Sequence, residues 1–144
     1  MSPSPTARSD ATEQAVLAAN LRFYSAFQSL DVEAMAQVWA KEDWVQCVHP
    51  GWHLLLGWDE VRESYVRIFS NMQRAKLALS SVWVHMHGEI AWVCCTEHIT
   101  SLYPGDFDEA HVQATNIFIL QEKGWRLASH HASPLPPEAE PSVQ

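Results

Sequence analysis

The chain has 144 residues, a formal net charge of −8 and a hydrophobic fraction of 47%. These values predict one globular domain that buries a core without disulfides or metals. The acidic balance argues against nucleic-acid binding, and the lack of a Lys/Arg run argues against binding to an anionic membrane. With no apolar run of transmembrane length and no secretory leader in the sequence, we expect a cytoplasmic protein.

The first half of the chain has the apolar spacing of helices. Asp10 and Glu13 resemble a capping box, and apolar residues then recur at helical spacing as far as Phe27. Asp31 is typical of the start of a second, short helix. A third helix is predicted at 59–72.

In the second half, the apolar spacing changes from helical to alternating, which indicates strands. Tight hairpin turns are expected at His87-Gly88 and Glu122-Lys123-Gly124, and a longer loop at Tyr103–Asp108. Together with one earlier strand, which ends at Pro50-Gly51, the predicted strands are Trp44–His49, 76–87, 89–103, 110–121 and 125–132.

The strands of this meander are apolar on both faces. Trp92 and Cys94 alternate with Val93 and Cys95, whereas a sheet with one wet face alternates apolar and polar residues. The helices cover one face, and the chain has no further element to cover the other. The pattern therefore predicts a homodimer that forms through the outer sheet face.

Two histidine clusters lie at strand ends, one at Cys47–His53 and the other at Trp125–Pro134. Eight histidines in the chain raise the question of a metal. His85-x-His87 places two imidazoles on one strand face, but no carboxylate or thiol completes a standard ligand spacing. We expect neither a metal nor another cofactor.

Several blocks of this sequence resemble signatures of a known family. They are Val48-His49-Pro50-Gly51, Gly57-Trp58-Asp59-Glu60-Val61-Arg62-Glu63-Ser64, Ala91-Trp92-Val93, Ala114-Thr115-Asn116, Gly124-Trp125-Arg126 and His130-His131-Ala132-Ser133-Pro134. Together they are similar to bacterial SnoaL-like, ketosteroid-isomerase-like proteins of the NTF2-like superfamily. The resemblance spans Ala15 to Pro136.

The resemblance implies an α+β cone, in which three N-terminal helices pack on a strongly curved antiparallel sheet of about five strands. It places a single domain at 10–136, between disordered tails at 1–9 and 137–144. Proteins of this superfamily include isomerases, cyclases, dehydratases, ligand-binding modules and association domains, so the fold does not specify an activity.

The resemblance also implies three catalytic candidates. The family's isomerases use a Tyr on the first helix, an Asp before a Pro after the first strand, and an acidic residue on a later strand. In this chain those positions match Tyr24, His49 and Asn116. His49 would be the base, and the other two would polarise a substrate carbonyl. Alternatively, Tyr24 is a core aromatic, His49 a non-catalytic pocket residue and Asn116 part of a buried network.

A second set of residues is predicted to contact a ligand around the cone: Trp52, His53, Glu97, Phe118, His130 and His131. Strand alternation allows only one of His130 and His131 to face the cone. Glu97 is either a general base in the cone or a partner of Arg126 across the sheet.

Two functional hypotheses follow. The first is a pocket for a small apolar or aromatic molecule in which a proton-transfer isomerase, cyclase or dehydratase reaction takes place. The second is a non-catalytic ligand-binding or dimerisation module, which the missing carboxylate before Pro50 favours.

Overall fold

The computed structural model describes residues 12–136. In chain order the elements are α1 (Glu13–Ser29), α2 (Val32–Val38), β1 (Gln46–Val48), β2 (Leu55–Leu56), α3 (Trp58–Asn71), β3 (Arg74–His87), β4 (Ile90–Tyr103), β5 (Asp106–Gln121) and β6 (Gly124–Pro134). The predicted tails at 1–9 and 137–144 lie outside the described residues, as does Asp10. Within 12–136, no helix combines the length and the apolar composition that crossing a membrane requires.

The architecture is α+β, with three helices packed on one curved sheet, as predicted. The sheet has six strands in the order β2-β1-β6-β5-β4-β3, one more than expected, because Leu55 and Leu56 form a two-residue strand. All neighbouring strands are antiparallel except β1 and β6, which pair in parallel through Cys47 and His130. The predicted antiparallel sheet is thus confirmed for the other strand pairs, and β6 returns beside β1 in the same direction.

Polar caps define the two N-terminal helices. The Thr12 hydroxyl accepts a hydrogen bond from the Ala15 N–H at 3.1 Å and begins α1; the capping box expected at Asp10 begins outside the described residues. The Asp31 carboxylate accepts from the Glu33 N–H at 2.9 Å and begins α2, as the sequence predicts.

Irregular pairing bends the sheet around the helices. The β3–β4 register shifts between Ser80 and Trp83, where Ser81 has a positive φ of 52°. A second shift occurs between Ile117 and Phe118, where β5 meets β6. Bulges of this kind increase local twist and bend a strand, which accounts for the concave face turned towards the helices.

The loop predicted at Tyr103–Asp108 is a two-residue turn. Tyr103 pairs directly with Asp106, so β4 and β5 run to the turn formed by Pro104 and Gly105. The polar residues that suggested a loop are tolerated because the ends of long hairpins extend into solvent.

The core fills one end of the space between the helices and the sheet. Its largest fully buried side chains are Trp39, Tyr65, Phe23, Phe118 and Met35. The backbone after α2 is joined to β6, since the Ala40 N–H donates to the Leu127 carbonyl at 2.9 Å. Two of these core side chains, Phe23 and Tyr65, also line the cavity between the helices and the sheet.

Gly57, which begins α3, is the glycine most tightly constrained by its surroundings. It has φ of +85°, and a Cβ placed there would lie 3.3 Å from the Asp43 carbonyl oxygen. Gly51 has a similar φ of +82° but no atom within 4 Å of such a Cβ. We predict that Gly57→Ala lowers the free energy of unfolding by about 1 kcal/mol more than Gly51→Ala, because both substitutions strain the backbone but only one adds a steric contact. Urea denaturation of the two variants measures this difference, and equal losses would contradict it.

Candidate functional site

A cavity of about 310 Å³ opens between the helices and the concave sheet face. Apolar side chains form most of its wall, including Phe23, Phe27, Ile68, Met72, Leu77 and Val112. The polar groups that reach it come from different elements and include Tyr24, His49, Glu97, Ser101, Asp108 and His130. An apolar cavity of this size with a few convergent polar groups is typical of a small-molecule site.

Strand alternation brings Glu97 into the cavity. The inward residues of β4 are Ala91, Val93, Cys95 and Glu97, and all four are buried. The carboxyl therefore replaces an apolar side chain on a strand face that packs against the helices. Its predicted alternative partner, Arg126, instead donates to the Trp125 carbonyl at 3.1 Å.

Tyr24 of α1 is the hydrogen-bond partner of this carboxyl. The phenol donates to Glu97 Oε2 at 2.5 Å, and the Glu97 side chain is almost fully buried. Burial raises the pKa of Glu97 to about 7, and the hydrogen bond from Tyr24 opposes that rise. Burial and the nearby charge of Glu97 hold the pKa of Tyr24 far above its ordinary value, so the phenol keeps its proton.

Behind this pair lies a chain of hydrogen bonds with one direction. The Asn116 Nδ2 amide donates to the Tyr24 oxygen at 3.0 Å and to Asn20 Oδ1 at 2.9 Å. Asn116 Oδ1 in turn accepts from His130 Nδ1 at 2.5 Å. Since the Tyr24 oxygen accepts from Asn116, its own proton is directed to Glu97. His130, Asn116 and Tyr24 therefore form one path of donors that ends at the Glu97 carboxyl.

These hydrogen bonds also determine the tautomer of His130. Because Nδ1 carries the hydrogen that Asn116 accepts, Nε2 of the neutral ring is unprotonated. Burial, with smaller contributions from the charges of His49 and His131, lowers the pKa of His130 to about 3. The ring lines the cavity and packs on Phe23 with centroids 4.8 Å apart. His130 thus presents a neutral imidazole at neutral pH.

His49 is held by a separate hydrogen bond, to Ser64 of α3. The Ser64 hydroxyl donates to the Val61 carbonyl at 2.6 Å, so His49 Nε2 must supply the hydrogen in its 2.8 Å contact with the Ser64 oxygen. Nδ1 is then the unprotonated nitrogen. Burial lowers the pKa of His49 to about 4. The ring lies between those of Trp52 and Tyr65, at centroid distances of 4.9 and 5.1 Å.

The structure brings five of the predicted site residues to the cavity wall: Tyr24, His49, Trp52, Glu97 and His130. Asn116 is fully buried behind the wall and acts on Tyr24 and His130 through its amide. Three predicted ligand contacts do not line this cavity. His53 is exposed on the loop before β2, His131 is exposed on the side of β6 opposite His130, and Phe118 is buried in the core.

Two polar residues of this network were missed from the sequence. Asn20 lies four residues before Tyr24 on the buried stripe of α1, and Ser64 lies on the buried stripe of α3 beside Tyr65. Both are polar groups at positions that helical spacing assigns to the core. A search for such interruptions would have found them.

The charged side chains that line the cavity are both acidic. Glu97 and Asp108 line it, and no Lys or Arg is among its lining residues in the described chain. Arg67 lies outside the wall, with its guanidinium carbon 5.3 Å from the centre of the Trp52 ring. Between residues 12 and 136, no group of three or more His, Cys, Asp or Glu side chains is arranged to hold a metal ion.

Comparison with known proteins agrees with the cone architecture. A proposed dehydratase of the NTF2-like family from Streptomyces avermitilis is 38% identical, with a TM-score of 0.79, over 84% of this chain and 94% of that protein. A ketosteroid isomerase-like protein from Erwinia carotovora atroseptica is 22% identical, with a TM-score of 0.70, over 83% and 93% of the two chains. The second likeness shows the fold alone.

A curated plant relative contains a similar segment within a longer chain. The F-box protein SKIP8 of Arabidopsis thaliana is 26% identical over 123 residues, which cover 85% of this chain and 51% of that protein. The chain therefore spans about half the length of this relative. The model of the SnoaL-like domain matches residues 16–137. This chain belongs to the SnoaL-like domain family.

Proposed function

We propose that the cavity binds a small, uncharged apolar or aromatic compound with a carbonyl group and catalyses proton transfer on it. Isomerisation, cyclisation and dehydration all begin with such a step. The observation that carries the proposal is the buried Glu97–Tyr24 pair on an otherwise apolar wall. A carboxyl whose pKa is about 7 exchanges protons readily at neutral pH.

Size and charge of the cavity define the substrate class. A cavity of about 150 Å³ holds benzene, so about 310 Å³ accommodates two fused rings. Glu97 and Asp108 would repel a carboxylate or phosphate, and no lining cation offsets them. We therefore assign a neutral bicyclic ketone or hydroxyketone as the substrate type. The three free cysteines suit a reducing compartment, which favours the cytoplasm.

We assign the base to Glu97 in preference to His49. The depressed pKa of His49, about 4, makes it a weak base whose protonated form is strongly disfavoured at this buried position. The carboxylate of Glu97 has a pKa near the operating pH, which is where a general base is most effective. In this assignment Glu97 takes a proton from the carbon beside the substrate carbonyl.

Tyr24 would stabilise the oxygen that becomes negative. While Glu97 is ionised, the phenol donates to it. Once Glu97 has accepted the substrate proton, the enolate oxygen is the stronger acceptor, and the phenol hydrogen bond transfers to it. Asn116 keeps the Tyr24 oxygen in place during this exchange, which makes Asn116 a positioning residue.

The two histidines would orient the substrate as hydrogen-bond acceptors. His130 Nε2 and His49 Nδ1 are the unprotonated nitrogens of rings whose centroids are 6.4 Å apart. A hydroxyl group on the substrate can donate to either of them. Trp52 supplies an aromatic surface at the same wall.

A related protein supports the proposal that this chain is an enzyme of this reaction class. The Streptomyces avermitilis protein, at 38% identity, is described as a proposed dehydratase. Dehydration of a hydroxyketone needs the same parts: a base for the α-proton and donors for the oxygen that leaves or becomes negative.

A non-catalytic module is the second candidate. A protein from Thiobacillus denitrificans that is 29% identical, with a TM-score of 0.72, over 83% of this chain and 94% of that protein is described as a proposed association domain of calcium/calmodulin-dependent protein kinase type II. In that case the cavity would hold a ligand without turnover, and the buried carboxyl would only orient it.

Proton transfer can be measured without knowing the natural substrate. 2-Tetralone is neutral, bicyclic and enolisable, and its α-protons exchange with deuterium when a base removes them. We predict that the protein accelerates this exchange in D₂O and that Glu97→Gln lowers the rate by about 100-fold or more, since general-base catalysis typically contributes at least this factor. ¹H NMR follows the exchange, and the rate should rise with pH to a plateau above about 7.

Binding is measured in parallel through quenching of tryptophan fluorescence, with Glu63→Gln, an exposed glutamate of α3, as the matched control. Glu63→Gln should leave exchange and binding unchanged. If the wild-type protein binds 2-tetralone but exchange is no faster than in buffer, the non-catalytic module gains support. If Glu97→Gln exchanges as fast as wild type, Glu97 is not the base.

Burial of the Glu97 carboxyl lowers the free energy of unfolding, a loss that an uncharged side chain at this position would avoid. The native pKa of about 7 exceeds the ordinary value of 4.5, so the native state holds a proton that the unfolded chain releases between these pH values. Wild-type stability should therefore fall as pH rises from 4.5 to 7. We predict that Glu97→Gln is more stable than wild type by about 3 kcal/mol at pH 8 and that this gain disappears near pH 5. Urea denaturation checks this, with Glu63→Gln expected to show no such pH dependence.

His130 has the opposite effect on how stability depends on pH, and this effect occurs at acidic pH. Its native pKa of about 3 lies below the ordinary 6.5, so the unfolded chain binds a proton that the native state does not. Stability should be fully present above pH 6.5 and fall as pH decreases towards 3. We predict that His130→Asn reduces the slope of unfolding free energy against pH, between about pH 6 and 4.5, by about 1.4 kcal/mol per unit. His53→Asn, an exposed control, should keep the wild-type slope; a wild-type slope in His130→Asn would contradict the assignment.

A further inference from the structure

Two polar residues of the cavity wall have no role in the proton transfer proposed above. They are Ser101 on β4 and Asp108 on β5, which pair directly across the two strands and both line the cavity. Ser101 lies on the same face of β4 as Glu97, because alternate residues of a strand point to the same side. Ser101 and Asp108 are together called the distal subsite below.

The Ser101 hydroxyl is a buried polar group without a protein partner. The residue is 4% exposed, and no group among residues 12–136 forms a hydrogen bond with this hydroxyl. Asp108 is exposed at the edge of the cavity, and its carboxylate has no hydrogen bond or ion pair within the same part of the chain. Buried hydroxyl groups normally have a partner. Because Ser101 lines the cavity, a ligand that fills the cavity can supply one.

An apolar stretch separates the distal subsite from the Glu97–Tyr24 pair. Ile99 and Ala110, which pair directly across β4 and β5, line the cavity between the two polar positions. Glu97 and Ser101 lie four residues apart on one strand, which corresponds to about 13 Å. A hydrogen bond of about 2.8 Å at each end leaves about 8 Å between two oxygen atoms of a ligand that reaches both positions. Two fused six-membered rings hold oxygen atoms at their opposite ends at about this separation.

The chemistry of the distal subsite favours a hydroxyl group on the ligand. An ionised carboxylate such as Asp108 only accepts hydrogen bonds, whereas the Ser101 hydroxyl can donate as well as accept. A ligand hydroxyl can donate to Asp108 and accept from Ser101, so both residues gain a partner. An ether or carbonyl oxygen would leave the carboxylate without a donor. An ammonium group would lose much of its hydration beside the buried Ser101, at a cost that one exposed carboxylate does not offset.

We propose that the distal subsite binds a hydroxyl group on the ring of the substrate that is remote from its carbonyl. The substrate class is then a bicyclic ketone with a hydroxyl group at the opposite end. This inference rests on the proposed function, because it places the carbonyl end at the Glu97–Tyr24 pair. Ser101 and Asp108 bind and orient the substrate but take no part in proton transfer, since about 13 Å of β4 separates Ser101 from Glu97.

Three bicyclic ketones that differ only at the remote ring test the proposal: 6-hydroxy-2-tetralone, 6-methoxy-2-tetralone and 2-tetralone. Isothermal titration calorimetry with the full chain gives their Kd values at about pH 7.5, where the phenol of the first compound keeps its proton. We expect the methoxy compound to have a Kd about tenfold larger than the hydroxy compound, because the methoxy group gives the Asp108 carboxylate no donor. The Kd of 2-tetralone should also be about tenfold larger than that of the hydroxy compound, since it reaches neither residue.

Two conservative variants separate recognition of the hydroxyl group from a structural effect. Ser101→Ala should lower the ratio of the 2-tetralone Kd to the 6-hydroxy-2-tetralone Kd by about fivefold, the effect of one neutral hydrogen bond. Asp108→Asn should bring the Kd values of the hydroxy and methoxy compounds to within about twofold, because an amide can donate to the ether oxygen. A structural disturbance would change all three Kd values together and keep their ratios. Glu109→Gln, an exposed neighbour that does not line the cavity, should keep the wild-type ratios.

The deuterium exchange measurement distinguishes failure of this inference from failure of the proposed function. If the protein accelerates exchange of 2-tetralone but binds the three ketones equally, the distal subsite is overturned and the catalytic proposal stands. If 6-hydroxy-2-tetralone binds most tightly without faster exchange, the distal subsite is supported and the catalytic proposal fails. A preference that Ser101→Ala and Asp108→Asn both leave unchanged would also overturn the distal subsite. Failure of all three ketones to bind at about 1 mM would overturn both proposals.

Discussion

The candidate site depends on one of the hydrogen bonds that connect the first helix of this protein to its sheet. Tyr24 on α1 donates to Glu97 on β4 at 2.5 Å, across 73 positions of sequence and inside an apolar wall. An ionised carboxyl at this depth is costly unless donors reach it, and Tyr24 is the donor that does. The protonation state of Glu97 therefore depends on this contact.

The buried polar groups divide into two arms around that contact. One arm runs from His130 through Asn116 to Tyr24, and the other joins His49 to Ser64. Hydrogen bonds set the tautomer of each histidine, and burial keeps both rings neutral. A protein that needed only a stable core would fill this space with apolar side chains. Here the Glu97 carboxyl titrates near pH 7, while the histidines of the two arms stay neutral at that pH. Such an arrangement suits proton transfer more than it suits core packing.

Much of the architecture follows from local patterns. Helical and alternating spacing predict the three helices and the four long strands, and strand alternation predicts that only one of His130 and His131 faces the cone. The pairing of Tyr24 with Glu97 does not follow, because it depends on how α1 sits on a sheet whose curvature comes from bulges at Ser81 and Ile117. The prediction of His49 as the base comes from the position of the family's carboxylate before a Pro, and the sequence does not show that packing against α3 buries this ring.

The account depends on the state of one carboxyl. An NMR titration of the Glu97 side-chain ¹³C carboxyl signal, in wild-type protein and in Tyr24→Phe, measures that state directly. We predict a midpoint of about 7 in the wild type and a higher one in Tyr24→Phe, because burial raises the pKa and the phenol hydrogen bond opposes that rise. A wild-type midpoint near the ordinary value of 4.5, or one that Tyr24→Phe leaves unchanged, would show that the carboxyl is solvated or independent of Tyr24 and would contradict the account.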